Sequence, residues 1–544
     1  MANDEAVRTD PALATEMPGS LRELQTLEAR VVEAAGVVLP AVVGVNNSAG
    51  VIVSEDGLVL TAAHLGGLLG GKVTVRLSSG KVFPGKTLGM CGIADVAMVR
   101  IQAKGPFPSA KPGKSAEVKP GQWCLMFGHR DPRSPGRPAV LRLGRILERQ
   151  NGKLVSNCAG GQGDSGGPLF DLAGRLIAIN SYGSLRMGHV PIDVYTDNWA
   201  RLLRGERWGG RPRLVFTGAQ LMRPKPSLPR LPRELLVPVA TKAAGSTVQV
   251  ICGGRPCCLG TVVSSDGLIA TRARELAGAV RCRLHDGREL DARRVGRCLA
   301  HDLAFLRVKA DKLVPVTWMD PKCVVLGRWV VVPGFGGRFL GAGIVSTAKR
   351  LVPCHLPALD AYFEPAPDAA PNLQGVGLHS VAAKAGLKAG DLILAVDGQK
   401  TPTLREFKRR LSKHPPRDQL KLNVRRGSEE VELVVKPTRP QRPRVIRADP
   451  GGQGGRIRLI TPRRSLTTVH PQDGYPAALQ HSASVSPSRC GSPLLGLDGK
   501  ALGLSIAPEY ALPASVVARE IRRLAKRGSA GYRIGSPDPG EQDQ

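Results

Sequence analysis

The sequence predicts a mainly β protein of several domains, built on an internal repeat whose second copy holds an α/β insertion. Three observations carry this. First, 65 Gly and 44 Pro in 544 residues favour many turns and short strands over long helices. Hydrophobic residues make up 42% of the chain but aromatics only 4%, so the cores must be filled mostly by Val, Leu, Ile and Ala. Second, three segments recur in order: AGVIVSEDGLVLTAAHL (49–65) returns as LGTVVSSDGLIATRAREL (259–276), IADVAMVRI (93–101) as AHDLAFLRV (300–308), and SGGPLFDLAGRLIAI (165–179) as CGSPLLGLDGKALGL (490–504). Third, the last two landmarks lie much further apart in the second copy than in the first, so that copy must contain an insertion.

The elements follow in chain order. Residues 1–35 are a polar segment ending in LRELQTLEARVVEAA (21–35), where Leu and Val recur at helical spacing among charges. Strand-like segments begin at Val42, and the first copy occupies 36–205. In each copy an Asp-Gly pair between apolar runs is a strong hairpin signal. Residues 206–240 are rich in Pro and Arg and predict a linker, because proline removes a backbone donor and fixes φ. The second copy then runs over 241–355 and 441–528. Between these parts, 356–440 contains AAKAGLKAGDLILAVDGQKTPTLREFKRRL (382–411), an apolar strand, an Asp-Gly turn and an amphipathic helix. The tail 529–544 has the composition of a disordered segment.

Charge and cysteine usage narrow the function class. The formal net charge is +32, from 77 Lys+Arg against 45 Asp+Glu, a field that attracts anionic partners. The basic residues are spread along the chain, with no basic helix or aromatic-interleaved platform, so a dedicated nucleic-acid binder is not indicated. The 11 cysteines show no zinc-like spacing, and no metal or cofactor is expected. Only Cys252, Cys257 and Cys258 cluster; a metal or redox role competes there with plain buried thiols. No export signal or membrane-spanning run is visible, and the unpaired cysteines fit a reducing compartment, which as written predicts a cytoplasmic protein.

The chemistry lies in the first copy. Serine is a weak nucleophile at neutral pH and needs a base within reach, itself oriented by an acid. Ser165 sits in GQGDSGGPLFD, where flanking glycines allow a sharp turn. His64 follows a strand in LTAAHL. Asp95 opens the strand ADVAMVRI, where burying a carboxylate is costly unless it is hydrogen-bonded. The chain order His, Asp, Ser is that of the chymotrypsin arrangement. Each residue alone has a structural explanation, but three in this order, each in its own motif, point to a catalytic triad.

These motifs, with the PDZ-like AGLKAGDLILAVDG, resemble the trypsin-like peptidases and their HtrA (Deg) branch. The resemblance covers about 40–525. It implies a chymotrypsin-like double β-barrel for the first copy, a second, degenerate trypsin-like double barrel, and an inserted α/β PDZ-like domain. It further implies that Ser165 attacks the scissile carbonyl, that His64 is base and then acid, and that Asp95 fixes the imidazole tautomer. The amides of Gly163 and Ser165 would form the oxyanion hole. Asn180, Ser181, Tyr182 and Gly183 would pair with the substrate backbone. Ala159, six residues before the nucleophile, would lie at the base of the S1 pocket beside Gly160 and Gly161. Trypsin carries an Asp at that place; Ala159 offers no counter-charge, which predicts cleavage after small or aliphatic residues. Family members degrade unfolded or damaged protein, are often trimers, and are also found in the periplasm or cell envelope.

The second copy departs from the pattern. Arg274 stands at the place of His64 and Cys490 at that of Ser165, and only Asp302 remains. Arg cannot lose a proton at this pH, so this copy is expected to be inactive. The PDZ-like module also lacks a matching carboxylate-binding loop, for which AYFEP (361–365) and NLQGVGL (372–378) are the candidates. Two function classes follow: an endopeptidase acting on unfolded protein, and a chaperone-like scaffold with secondary proteolysis. The triad favours the first.

Overall fold

The computed structural model describes residues 16–65, 71–129, 138–161, 163–182, 187–210, 233–377, 380–414, 418–437, 445–447, 458–460, 474–483 and 485–528. The predicted disordered tail lies outside them.

Short strands with alternating or wholly apolar faces close into four six-stranded barrels. The first is built from Val42–Val45, Ser48–Ile52, Leu58–Thr61, Lys72–Leu77, Val82–Cys91 and Val96–Ile101, closed by pairing of the last two. Its interior is filled by Val43, Val45, Ile52, Val59, Val75 and Val99, all at most 1% exposed. The second runs from Trp123–Gly128 to Met187–Pro191, and the third from Thr247–Cys252 to Leu303–Val308. The fourth joins Trp329–Pro333 and Phe339–Val352 to Tyr475–His481, Pro493–Leu495, Ala501–Ala507 and Tyr510–Pro513. Numbered within each barrel, the first and third share one cyclic strand order. The second and fourth have that same order, so all four barrels are wound alike, two in each copy. The sequence repeat is therefore a repeat of two whole double barrels.

The insertion enters the fourth barrel between its second and third strands. It contains a three-stranded sheet (Cys354–Leu356, Ala361–Phe363, Leu373–Val376), a four-stranded sheet and the helix Leu404–Lys413, closed on their own core around Phe363, Phe407 and Leu422. Ala361–Phe363 is paired on both edges, so it has no free edge for an added peptide strand.

The lead-in helix is longer than its spacing predicted, Leu21–Val38. Ser20 caps it, accepting from the Glu23 amide at 3.2 Å, while Glu23 reaches back to the Gly19 amide at 2.8 Å. Leu24, Leu27, Val31 and Ala35 are each at most 1% exposed. They pack in one core with Trp123 and Phe127 of the second barrel and Trp329 and Val331 of the fourth. The helix thus joins the two copies.

The linker expectation needs correction at both ends. Arg207–Trp208 adds a parallel strand beside Met90 and Cys91 of the first barrel, where Trp208 lies under the Arg201 guanidinium at 4.0 Å. Arg233–Thr241 is a helix despite Pro238, because Leu236, Val239 and Ala240 bury one face. Residues 211–232 lie outside the described residues.

Candidate functional site

The site lies where the first two barrels meet. His64 follows the strand Leu58–Thr61, and Asp95 precedes the strand Val96–Ile101 with φ of +60°. That left-handed backbone, which Asp tolerates better than most residues, lets one carboxylate hold both ends of His64. It accepts from the His64 amide at 2.9 Å, and the ring nitrogen Nδ1 lies 2.9 Å from both carboxylate oxygens. Asp95 is 5% exposed. Burial works to raise its pKa, but the hydrogen bonds from His64 and Ser181 and the charge of His64 outweigh it and hold the carboxyl below its ordinary value.

Ser165 comes from the second barrel, in a loop whose sharp turns place Gly163 at φ +89° and Gly166 at +80°. A Cβ on Gly166 would lie 2.2 Å from Thr61 Oγ1, so only glycine permits this approach of the two barrels. The Ser165 hydroxyl donates to the Ser181 carbonyl at 2.9 Å. Ser181 in turn donates its own hydroxyl to Asp95, so this one residue touches both the acid and the serine. The amides of Gly163 and Ser165 donate to no other described residue.

Four further residues belong to the site, of which only Asp164 lies within a motif quoted above. Asp164 is fully buried, and Arg142 Nη1 donates to it at 3.1 Å while Nη2 lies 3.0 Å away. Its other oxygen accepts from the Gly161 amide at 2.7 Å, so the carboxylate ties both sides of the Gly163 turn. Lys153 donates to the Ser181 hydroxyl at 2.8 Å; burial lowers its pKa, against the raising pull of Asp95. His189 is buried between Ser156 and Asn180, and burial, helped by the charge of Lys153, lowers its pKa to about 3. Arg142 and Lys153 project from strands remote in sequence, where neither carries a local signal.

One expectation is overturned. Asn180 cannot pair with a substrate backbone, because its N–H goes to Gly167 and its carbonyl accepts from Gly166, each at 2.7 Å. Its side-chain amide donates to the carbonyls of Phe127 and Asp164. Asn180 is a buried strut beneath the Ser165 loop. Ser181 and Tyr182 continue the same strand, Leu176–Tyr182, and Gly183 lies outside the described residues. Ala159 and Gly160 are partly exposed between Cys158 and the loop.

The second copy repeats this frame bond for bond. The Arg274 amide donates to Asp302 at 2.9 Å, as His64 does to Asp95, and Asp302 also has positive φ, +51°. Leu259 donates to the Cys490 carbonyl at 2.9 Å, as Ala49 does to Ser165 at 3.0 Å. The side chains differ. The Arg274 guanidinium stays 4.0 Å from Asp302, while that of Arg272, which stands where the first copy has Ala62, donates to it at 3.0 Å. The Cys490 thiol is fully buried, and burial raises its pKa. Among the described residues no group of three or more His, Cys, Asp or Glu side chains is placed to hold a metal ion.

Comparison with known proteins agrees with this geometry. The trypsin-like peptidase domain family matches residues 48–179 and again 258–366, and the PDZ domain family matches 370–436. Two such copies and one PDZ domain define the class of architecture: trypsin-like peptidase domains joined to a PDZ domain. The chain is similar to "Putative protease Do-like 14" of Arabidopsis thaliana, at 28% identity over 36% of this chain and 52% of that protein. It is similar to "Probable periplasmic serine endoprotease DegP-like" of Pseudomonas fluorescens, at 34% identity over 27% of this chain and 33% of that protein. "Serine protease HTRA2, mitochondrial" of Bos taurus is 33% identical over 26% of this chain and 32% of its own length. Within that class the similarity is to the HtrA/Deg type of serine protease with a PDZ domain. The chain spans about half the length of the first of these relatives and about a third of the other two.

Proposed function

We propose that the chain is a serine endopeptidase that hydrolyses peptide bonds in unfolded or damaged proteins, with His64, Asp95 and Ser165 as its triad. The observation that carries this reading is the His64–Asp95 pair, 2.9 Å from ring nitrogen to carboxylate, linked through Ser181 to the hydroxyl of Ser165. Rotation about the Cα–Cβ bond of Ser165 moves that hydroxyl from the Ser181 carbonyl to His64 Nε2, which takes its proton as Oγ attacks the substrate carbonyl. Asp95, kept ionised, holds the Nδ1–H tautomer and stabilises the imidazolium. The uncommitted amides of Gly163 and Ser165 stabilise the oxyanion. His64 then gives its proton to the leaving amine, and water repeats the sequence on the acyl-enzyme.

At P1 the uncharged Ala159 and Gly160 favour small or aliphatic side chains over Arg or Lys, whose charge would be buried unpaired. Discrimination among apolar side chains is modest, since one methylene is worth only about 1–3 kcal/mol. The family resemblance extends to homo-oligomers, trimers among them, and the elution volume of the active protein reads this directly.

A serine-directed fluorophosphonate tests the proposal. It should label the protein once, at Ser165, and Ser165→Ala should lose the label and at least about 10⁴-fold of casein hydrolysis, whereas Cys490→Ala keeps both. Cleavage sites in the same digest should follow Val, Ala, Leu or Met. Undiminished hydrolysis by Ser165→Ala moves the active site elsewhere, and absence of both label and hydrolysis in the wild type favours the scaffold reading.

A further inference from the structure

The third barrel carries thiols that the proposed hydrolysis does not use. Its first strand, Thr247–Cys252, turns through Gly253 and Gly254, at φ +56° and +76°, into Arg255–Val262. Cys252 lies opposite Arg255 and Ile251 opposite Pro256, but Val250 lies opposite Cys258. Cys257 is the extra residue of a β-bulge, and a bulge re-aims the side chain it carries. Without it, strict alternation would put Cys257 and Cys258 on opposite faces of the hairpin. With it, Cys252, Cys257 and Cys258 gather at one end of the barrel. Cys252 Sγ and Cys257 Sγ are 2.7 Å apart, and Cys257 Sγ and Cys258 Sγ are 3.7 Å apart.

Exposure separates these thiols. Cys258 and Cys282 are at most 2% exposed and belong to the barrel interior. Cys252 and Cys257 are each only partly buried. A further close pair, Cys124 and Cys158, lies 3.9 Å apart inside the second barrel, at most 1% exposed, beyond the reach of a dissolved oxidant. Only the first pair combines contact with access, which thiol–disulfide exchange requires.

We propose that Cys252 and Cys257 form a reversible redox site that closes into a disulfide by exchange with a low-molecular-weight disulfide. The Cys252 thiolate attacks one sulfur of the small disulfide, whose S–S bond breaks and releases one thiolate. The resulting mixed disulfide is attacked at Cys252 Sγ by the Cys257 thiolate, and the second small thiolate leaves. The two protons lost by the protein end on the two released thiols, so the protein is oxidised and the small disulfide reduced. Cys252 is the attacking residue, because burial and the neighbouring thiol raise its pKa only to about 11, with Arg294 nearby pulling it down. The Cys257 thiol is pushed further up by its hydrogen bond with Cys258 and by burial.

The reduced full-length protein, incubated with oxidised glutathione, then alkylated with N-ethylmaleimide and mapped by peptide mass without reduction, tests this. Expected is an unalkylated Cys252–Cys257 peptide lighter by two hydrogens, restored to two alkylation sites by dithiothreitol. Cys124 and Cys158 should carry no crosslink. Formation should speed up about tenfold per pH unit between pH 7 and 9, as the Cys252 thiolate fraction grows. The conservative variant Cys252→Ser should lose the intramolecular link while melting at an unchanged temperature. Alkylation of both residues after oxidation, or a link joining Cys257 to Cys258 or Cys282 instead, overturns the proposal.

Discussion

At the scale of single residues, the site depends on a few charges held out of water. Asp95 stays ionised because His64 and Ser181 donate to it. Asp164 is paired with Arg142 at 3.0 Å. Removing one member of a buried pair leaves the other uncompensated, at a cost of about 3–5 kcal/mol. Here that cost falls on the turn that carries Gly163 and Ser165, since the same carboxylate also receives the Gly161 amide. Arg142→Leu is therefore expected to lower kcat far more than it changes KM, with Arg142→Lys recovering part of the loss. Steady-state kinetics on a peptide substrate, run beside thermal melts, checks this; an unchanged kcat in Arg142→Leu would show that the turn is held by other bonds. The second copy makes the contrasting case: Arg272 and Asp302 are paired at 3.0 Å, and Arg274 occupies the place of the imidazole.

At the scale of elements, the N-terminal helix and the PDZ-like module are decided by what they pack against. Most helical stability in proteins comes from burying an apolar face. Leu27 is 1% exposed in the core between the copies, while Val37 on the same helix is 71% exposed. Leu27→Ala should destabilise the protein by about 2–5 kcal/mol and Val37→Ala by less than about 0.5 kcal/mol. Urea titration of both variants reads the difference; equal small effects would mean that the helix does not join the copies. In the PDZ-like module, the strand Ala361–Phe363 is flanked by the chain's own Cys354–Leu356, so the departure visible in its sequence corresponds to an edge already occupied.

At the scale of the whole molecule, the two double barrels share a core that contains equivalent tryptophans. PGQWCLMFG (120–128) and LGRWVVVPG (326–334) each open a barrel, and Trp123 and Trp329 are both fully buried. The N-terminal segment bonds both: Glu16 accepts from the Trp123 indole at 3.1 Å and Glu28 from the Trp329 amide at 2.6 Å. Burial across this interior sets the acid sensitivity. His189 and His481 are held neutral, with pKa lowered by burial to about 3 and about 4. A histidine whose folded pKa lies below its unfolded value of about 6.5 gives stability that is present above that value and is lost as pH falls toward the folded pKa. Each should cost about 2 kcal/mol at pH 5 relative to pH 8. Glu28, whose pKa burial raises, opposes this in part. Urea midpoints across pH 5–8 should fall on acidification, and His189→Asn should flatten the fall; a midpoint independent of pH would contradict the buried neutral rings.

The sequence by itself determined the repeat, the inserted module and the three residues of the proposed triad. These are local signals: an Asp-Gly turn between apolar runs, or a serine among glycines, is legible because the residues that define it are neighbours in the chain. Val42 as the start of the strands was legible for the same reason. Only the tertiary structure decided that Asn180 is a strut, since what occupies its N–H and carbonyl is Gly167 and Gly166 across a loop. It also decided that Arg142 braces Asp164, that Arg272 donates its guanidinium to Asp302, and that Arg233–Thr241 is a helix around Pro238. Each of these depends on which strands and loops meet across a barrel or a cleft. Burial then makes the pairing obligatory, because a polar or charged group removed from water must find its partner wherever the fold brings one within reach.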